Sequence, residues 1–318
     1  MLFNITFSHI TTLTRKMKLP SILSPLILFP FKCQGTYTII SYDKETGNVG
    51  GSGTTCITGD GAQVSITYAS APNIGVVAAQ SLINATARDI AIQKIKNGQD
   101  PSTIISEFQI NANIADEQYG IINSKETKGF TGSSCMDWAG DIQGSINGFE
   151  YSFQGNILTS DMVGSQASAA FTQERTNIFH NDTLTNDKIK TRGCEMAWRL
   201  FNAVQAGGEN NQGDSRCSGR AGATSFLRVD LSQDSGVFFT DTPGGTSCFS
   251  PSFDDNIPGF MKGMLSFFKS PTNCDFEQRG YSDAFLSIEV GADGDLDPLV
   301  ELGERFRSWA NLNDCWED

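Results

Sequence analysis

Histidine is nearly absent from this sequence, whose 318 residues contain only His9 and His180. His180 stands in a polar stretch immediately before Asn181, where an exposed loop residue is the expected role. A Ser-His-Asp or Cys-His mechanism therefore lacks a convincing general base. The sequence also contains no P-loop, GxSxG or HExxH motif, so the common nucleotide-binding, serine-hydrolase and zinc-protease signatures are missing.

Cysteine is present, but no two cysteines form a CxxC pair. Together with the shortage of histidine, this spacing argues against a structural zinc site. In an oxidising compartment, scattered cysteines predict disulfides, whose pairing the spacing alone leaves open. After Cys33, which lies in the leader described below, seven cysteines remain, and an odd number leaves at least one outside intramolecular pairing. They are Cys56, Cys135, Cys194, Cys217, Cys248, Cys274 and Cys315.

An acidic stretch near the carboxyl end, "DGDLDP", offers a calcium-loop interpretation, with acids at Asp293, Asp295, Asp297 and Glu304. Pro298 stands where an EF-hand loop requires glycine, and no helix is predicted before it. Asp297 as a helix N-cap followed by Pro298 is the better interpretation. We therefore expect neither a metal nor a cofactor.

Basic residues are also scarce. The formal charge is −13, from 23 Lys and Arg against 36 Asp and Glu. Four of the basic residues and none of the acids lie in residues 1–35, so residues 36–318 carry 19 basic against 36 acidic residues, or −17. A surface this acidic disfavours nucleic acid and anionic membranes as partners.

The start of the chain resembles a secretory signal peptide. Lys18 precedes the apolar stretch 22–31, and Cys33 and Gly35 follow at the small-residue positions before a cut. The apolar stretch is too short to span a bilayer. We predict a signal peptide over residues 1–35, with Met17 as an alternative start, and a cut between Gly35 and Thr36. The mature protein would be secreted or in an endomembrane or lysosomal lumen, without a membrane anchor.

After the predicted leader, two Asn-x-Thr triplets, at Asn84 and Asn181, are candidate glycosylation sites that suit this route. Along the chain, period-two and helical patterns predict a hairpin, a strand pair whose first strand covers 62–70, two helices, four strands, two helices, late strands and a final helix. Gly98 marks the end of the first helix, and Asp100-Pro101 the start of the second. The helix predicted over 187–206 carries an apolar stripe that we expect in the core, made of Cys194, Ala197, Trp198, Phe201 and Val204. No change of composition marks a linker. The expected fold is α+β, a two-sheet core with helices outside, in one domain over 36–318 with a disulfide-stapled loop at about 235–280.

A threonine exposed by the predicted cut has its own chemistry. Its α-amine, with an ordinary pKa near ~8, can accept the hydroxyl proton through a water and return it to the leaving group. The β-methyl restricts the side-chain rotamer. This arrangement suits amide hydrolysis, although signal cleavage often exposes Ser, Thr or Ala without any catalytic role.

The blocks "TYTIISYDKETGNVG", "GVVAAQSLIN", "TGSSCMDWAG", "YSFQGNIL", "GGENNQGDSRCSGRAGATSFLRVD" and "LDPLVELGERF" resemble the DUF1028 family, also described as Ntn-hydrolase-like. They occur in the family's order over most of residues 36–307. The resemblance implies a four-layer αββα sandwich with Thr36 at the open end of the two sheets. It implies an activity that is unassigned and presumed hydrolytic from the fold. Together with the threonine chemistry above, it leads us to predict hydrolysis of an amide in an unknown small molecule, peptide or glycopeptide, with Thr36 as the nucleophile.

The matched blocks and their chemistry suggest further site residues. Asn156 is a candidate oxyanion donor. The candidate substrate-binding residues are Asp214, Arg216, Arg220, Gln80 and Thr55, the arginines as forks for a carboxylate. Cys135 matches a family cysteine and is the expected unpaired thiol.

The chain departs from the family pattern at "ATARD" after Asn84, where the family has Pro-x-Tyr-Gly, and at Phe130, where it often has histidine. A non-catalytic protein of the same fold that binds a glycan or peptide is the main alternative. A disulfide-stapled structural protein is a third. The oligomeric state is open, with a homodimer as one alternative.

Overall fold

A computed structural model describes residues 35–57, 64–174, 187–217, 220–234, 238–239, 284–291, 297–313 and 315. The candidate glycosylation site Asn181 and the cysteines at 248 and 274 lie outside these ranges. So do the leader up to residue 34 and nearly all of the predicted loop at 235–280. Residues 33–318 form one compact unit.

Eleven strands form two antiparallel sheets in the described ranges. The strands are β1 (Thr36–Asp43), β2 (Val49–Thr55), β3 (Tyr68–Ala71), β4 (Gly75–Ser81), β5 (Glu117–Asn123), β6 (Thr127–Thr131), β7 (Gly140–Ile146), β8 (Phe149–Asn156), β9 (Thr224–Asp230), β10 (Phe238–Phe239) and β11 (Leu286–Val290). The first sheet has the order β11-β9-β2-β1-β8-β7 and the second the order β10-β3-β4-β5-β6. Strand β1 is therefore central in the first sheet, between β2 and β8.

The helices described are α1 (Ala85–Lys96), α2 (Pro101–Asn111), α3 (Met162–Thr172), α4 (Lys188–Gly207) and α5 (Pro298–Leu312), with a short 3-10 turn at Val64–Thr67. Their starts follow local sequence signals. The Asp187 and Asp297 side chains accept hydrogen bonds from backbone N–H groups in the first turns of α4 and α5. The prediction that Asp297 caps this helix and that Pro298 is its first residue is confirmed.

Three apolar clusters show how the layers pack. One joins the two sheets through β1, β2, β3, β4 and β5, with Ile40, Tyr68 and Val76 among its members. A second lies between the first sheet and helices α3, α4 and α5. The third joins the second sheet to α1 and α2. The predicted α+β class and the two sheets are confirmed.

The predicted core stripe on α4 is buried at four positions, Cys194, Ala197, Phe201 and Val204, while Trp198 is partly buried against the same cluster. The hairpin of β1 and β2 turns at Gly47, whose φ of +79° is a conformation that glycine adopts without strain. One element differs from the prediction. The stretch 62–70 was expected to be a strand, but residues 64–67 form the 3-10 turn and only Tyr68–Ala71 pair in the sheet.

Between described residues there are two disulfides, Cys56–Cys217 and Cys194–Cys315. Cys135 is in neither of them, and its assignment as the unpaired thiol stays a prediction, because Cys33, Cys248 and Cys274 lie outside the described ranges. Within the described ranges, no helix combines the length and the apolar composition needed to cross a membrane.

Candidate functional site

The predicted site residues meet where β1 begins. Thr36 is the first residue of β1, and the strand register pairs it with Thr55, the last residue of β2, and with Asn156, the last residue of β8. Antiparallel pairing brings the start of one strand beside the ends of its two neighbours. All three residues are buried, with Thr36 only 1% exposed.

A hydrogen-bonded series of oxygens runs through this point. The Thr36 hydroxyl donates to Thr55 Oγ1 at 3.1 Å, and the Thr55 hydroxyl donates to the carbonyl oxygen of Gly35 at 2.5 Å. From the facing sheet, Gln80 Nε2 donates to the carbonyl oxygen of Thr36 at 3.0 Å. Side chains of both sheets thus bind the backbone on the two sides of the Gly35–Thr36 bond.

The loop after α4 supplies a buried ion pair to the same place. Asp214 is fully buried and accepts from the backbone N–H of Cys56 at 2.9 Å and from the Arg216 guanidinium at 2.6 and 2.9 Å. Arg216 Nη2 also donates to the Gly35 carbonyl oxygen at 2.7 Å. The Cys56–Cys217 disulfide joins the residue after Thr55 to the residue after Arg216. It therefore fixes the two donors of the Gly35 carbonyl to each other.

Arg220 lies in the same loop, with an exposed side chain and with its backbone N–H donating to the carbonyl of Cys217 at 3.3 Å. Its role in substrate binding stays a prediction. Asn156 is placed beside Thr36 by the strand register, and its role as an oxyanion donor also stays a prediction.

Sequence reasoning missed several members of the site. Gln118 on β5 accepts from Gln80 Nε2 at 3.2 Å and donates to the carbonyl of Gly155 at 2.7 Å, so it links the two sheets beneath Thr36. The sequence signal was an amide, Gln118, beside the apolar residues of the strand "EQYGIIN", every residue of which is buried. The sequence identifies Gly35 only as a cleavage position, whereas in the structure its carbonyl oxygen accepts hydrogen bonds from both Thr55 and Arg216.

In the part of the chain that the structure describes, no group of three or more His, Cys, Asp or Glu side chains is arranged to hold a metal ion.

The candidate glycosylation residue Asn84 has a structural role. Its side-chain oxygen accepts from the backbone N–H of Ala87 at 2.9 Å, and its Nδ2 donates to Glu117 Oε1 at 3.2 Å. It therefore caps α1 and binds a buried carboxyl group at the start of β5. Glycosylation of Asn84 remains a prediction.

Burial raises the pKa of Glu117, although hydrogen bonds from Tyr119 and Asn84 act in the opposite direction. An acid with a raised pKa binds more protons in the folded than in the unfolded state, so its contribution to stability falls as pH rises from its ordinary pKa to the raised one. We expect Glu117→Gln to remove this component. Urea unfolding measures the free energy of unfolding of the variant minus that of the original protein. We expect this difference to increase as pH rises from the ordinary pKa of Glu117 to its raised pKa, and to stay constant above it.

Glu107→Gln is the matched control for this pH series. Hydrogen bonding from Lys94 lowers the pKa of Glu107, so its contribution is lost as pH falls and the difference has the opposite slope. The change of this difference with pH decides the prediction. Its value at a single pH does not, because the substitution also alters the hydrogen bond from Tyr119, which adds an amount that does not depend on pH. Parallel curves for Glu117→Gln and the original protein would contradict the prediction.

A family model described as a family of unknown function, DUF1028, matches residues 36–235, which is more than half of the chain. The chain belongs to the DUF1028 family. The match begins at Thr36, the residue on which the site converges.

Among solved structures, this DUF1028 protein resembles the crystal structure of protein SPO2555 from Silicibacter pomeroyi, also a DUF1028 protein. The two are 20% identical, the alignment covers 64% of this chain and 76% of that one, and the TM-score is 0.48. A likeness this low transfers no property to the site. No curated protein matches the chain.

Proposed function

We propose that the mature protein is a secreted N-terminal-nucleophile hydrolase of amide bonds, with the four-layer αββα sandwich of Ntn hydrolases and with Thr36 as nucleophile. The observation that carries the proposal is the convergence of Thr55, Gln80 and the Asp214–Arg216 pair on the bond between Gly35 and Thr36. Burying polar side chains costs free energy unless they are hydrogen-bonded, so a cluster of them at the start of one strand calls for a reason. In our proposal the reason is that these side chains surround the nucleophilic hydroxyl of Thr36.

Cleavage after Gly35 would give Thr36 a free α-amine. The amine, through a water, takes the proton from Thr36 Oγ1 as the oxygen attacks the amide carbonyl carbon. The tetrahedral intermediate collapses, the C–N bond breaks, and the amine returns the proton to the leaving nitrogen. Water then hydrolyses the ester and regenerates the hydroxyl.

Hydrogen-bond donors directed at the substrate carbonyl oxygen would stabilise the negative charge that develops there in the tetrahedral intermediate. Arg216 is the charged donor, and Asp214 holds its guanidinium through two hydrogen bonds. Asn156, on the other side of β1, is a second candidate donor. The rival function is a binding protein that keeps this fold without using the hydroxyl.

The proposal predicts where the mature protein begins. Gly35 and Thr36 are both buried, and Thr36 is paired on both sides, so an external protease reaches this bond only before β1 pairs. We expect the protein secreted from a eukaryotic host with its own leader to start at Thr36. Intact mass and amino-terminal sequencing measure this directly.

Gly35→Leu is the control, because a large side chain before the cut violates the small-residue requirement of signal cleavage and should shift the cut or block secretion. A native mature chain that starts at any residue other than Thr36 removes the proposed mechanism.

A further inference from the structure

Gly35 occupies a position that has no room for a side chain. A Cβ added to Gly35 would lie 2.6 and 2.7 Å from the two carboxylate oxygens of Asp214 and 2.8 Å from its Cγ. These distances are shorter than any normal contact between a Cβ and another heavy atom. Asp214 has little freedom to move away, because it is fully buried and is held by the backbone N–H of Cys56 and by Arg216.

The carbonyl group of Gly35 has two side-chain donors. Thr55 Oγ1 lies 2.5 Å and Arg216 Nη2 2.7 Å from the oxygen. Two convergent donors, one of them charged, are the arrangement that stabilises the oxyanion of acyl transfer. They reach Thr36 from β2 and from the loop after α4, on the side of β1 away from Asn156.

In the intact chain, Gly35 is an acyl group bonded to the nitrogen of Thr36. Its position therefore indicates where the acyl group of a substrate would lie. An acyl group on the threonine nitrogen and one on its Oγ1 interconvert through a small ring that contains N, Cα, Cβ, Oγ1 and the acyl carbon. The two acyl positions are therefore adjacent, on the same side of Thr36. Thr55, Arg216 and Asp214, which surround Gly35 here, would surround the acyl group of a substrate attached to Oγ1.

We propose that the mature site is selective for glycyl-type amides, whose acyl group carries no L side chain on its α-carbon. Thr55 and Arg216 hold the acyl carbonyl oxygen, and Asp214 fills the space that an L side chain would need. The reaction is the acyl transfer described above, with glycine or an N-acylglycine released as the carboxylic acid. This inference rests on the proposed hydrolase function and adds the substrate class.

Two esters that differ by one methyl group test the inference. The mature chain starting at Thr36 is treated with the p-nitrophenyl esters of N-acetylglycine and N-acetyl-L-alanine. Acylation of the first residue is followed by peptide mass mapping, both in buffer and in urea that unfolds the chain. The unfolded chain measures the intrinsic reactivity of the two esters. We expect the folded chain to favour the glycyl ester by a further factor on the order of ten to a hundred.

The outcomes separate the two claims. Acylation of the folded chain by both esters with the ratio seen in urea overturns the selectivity and leaves the hydrolase proposal standing. If the folded chain neither carries an acyl group on Thr36 nor releases p-nitrophenolate from either ester faster than Thr36→Ala does, the hydrolase proposal itself is overturned. A glycyl preference confined to the folded chain supports both.

Two variants assign the effect to particular side chains. Thr55→Val keeps the shape but removes the hydroxyl donor, so it should slow acylation by both esters to the same extent and leave their ratio unchanged. Asp214→Ala should admit the L-alanyl ester, provided that circular dichroism shows a folded chain. If that variant does not fold, the ester ratio of the original protein and the Thr55→Val result still decide the inference. A ratio that shifts in Thr55→Val would contradict the assignment of selectivity to Asp214.

Discussion

Replacing Thr36 with alanine in the mature chain is expected to abolish covalent labelling by a β-lactone probe and the hydrolysis of amide substrates. If the mature chain begins at Thr36, as proposed, the substitution removes the hydroxyl of the residue that carries the free α-amine. Loss of a serine nucleophile in a comparable acyl-transfer site lowers turnover by a factor on the order of a million, which places the variant below detection. Fluorescence of the labelled band after electrophoresis, together with the intact mass, measures the effect.

The same substitution should leave the fold intact. It removes the side-chain hydrogen bond from Thr36 to Thr55 Oγ1 at 3.1 Å, and a bond of this kind contributes about 1 kcal/mol. Thr36→Ser keeps the hydroxyl and should retain labelling. Thr38→Ala, which removes another fully buried threonine hydroxyl from the same strand, should label as strongly as the original protein. Equal labelling of Thr36→Ala and the original protein would instead favour a binding protein.

Much of the fold was predictable from the sequence because its signals are local. The break between α1 and α2 falls at Gly98 and Asp100-Pro101, as the glycine and proline indicated. The strand expected over 62–70 was wrong in its first half, because an alternating apolar pattern of that length does not distinguish a short 3-10 turn from a strand.

Within the site, strand ends were predictable and loop contacts were not. Thr36, Thr55 and Asn156 follow from antiparallel register once the hairpin and β8 are identified. The difference between Arg216, which binds the Gly35 carbonyl, and Arg220 depends on the path of one loop. Disulfide pairing was equally inaccessible, since Cys56–Cys217 and Cys194–Cys315 join cysteines 161 and 121 residues apart.

The second large effect is expected at the other end of the sheets, where Asp230 joins them. Its carboxylate is fully buried and accepts from the Arg228 guanidinium at 2.6 and 3.0 Å. From the facing sheet, Ser70 Oγ donates to it at 2.7 Å and the Tyr68 hydroxyl at 3.2 Å. Burial, followed by the charge of Asp230, raises the pKa of Tyr68, so the phenol stays a neutral donor.

Asp230→Ala should lower the free energy of unfolding by about 3–5 kcal/mol, because it removes a fully buried carboxylate to which Arg228, Ser70 and Tyr68 all donate. Urea unfolding followed by circular dichroism measures the loss. Asp161→Ala, at an exposed helix start where the side chain makes no cap hydrogen bond, is the control and should change stability by less than about 0.5 kcal/mol. A loss below about 1 kcal/mol for Asp230→Ala would mean that the ion pair contributes no more than an exposed one.

The position of Asp230 also makes this variant a test of the site. The β2–β9 register pairs Val49 with Asp230 and Thr55 with Thr224, so Asp230 and the Thr36 site lie at opposite ends of these strands. The fraction of Asp230→Ala that remains folded should therefore label through Thr36 at the original rate. Asp230→Ala should lose stability but keep its labelling per folded molecule, whereas Thr36→Ala should lose labelling but keep its stability. This contrast separates the groups that hold the two sheets together from those proposed to act at Thr36.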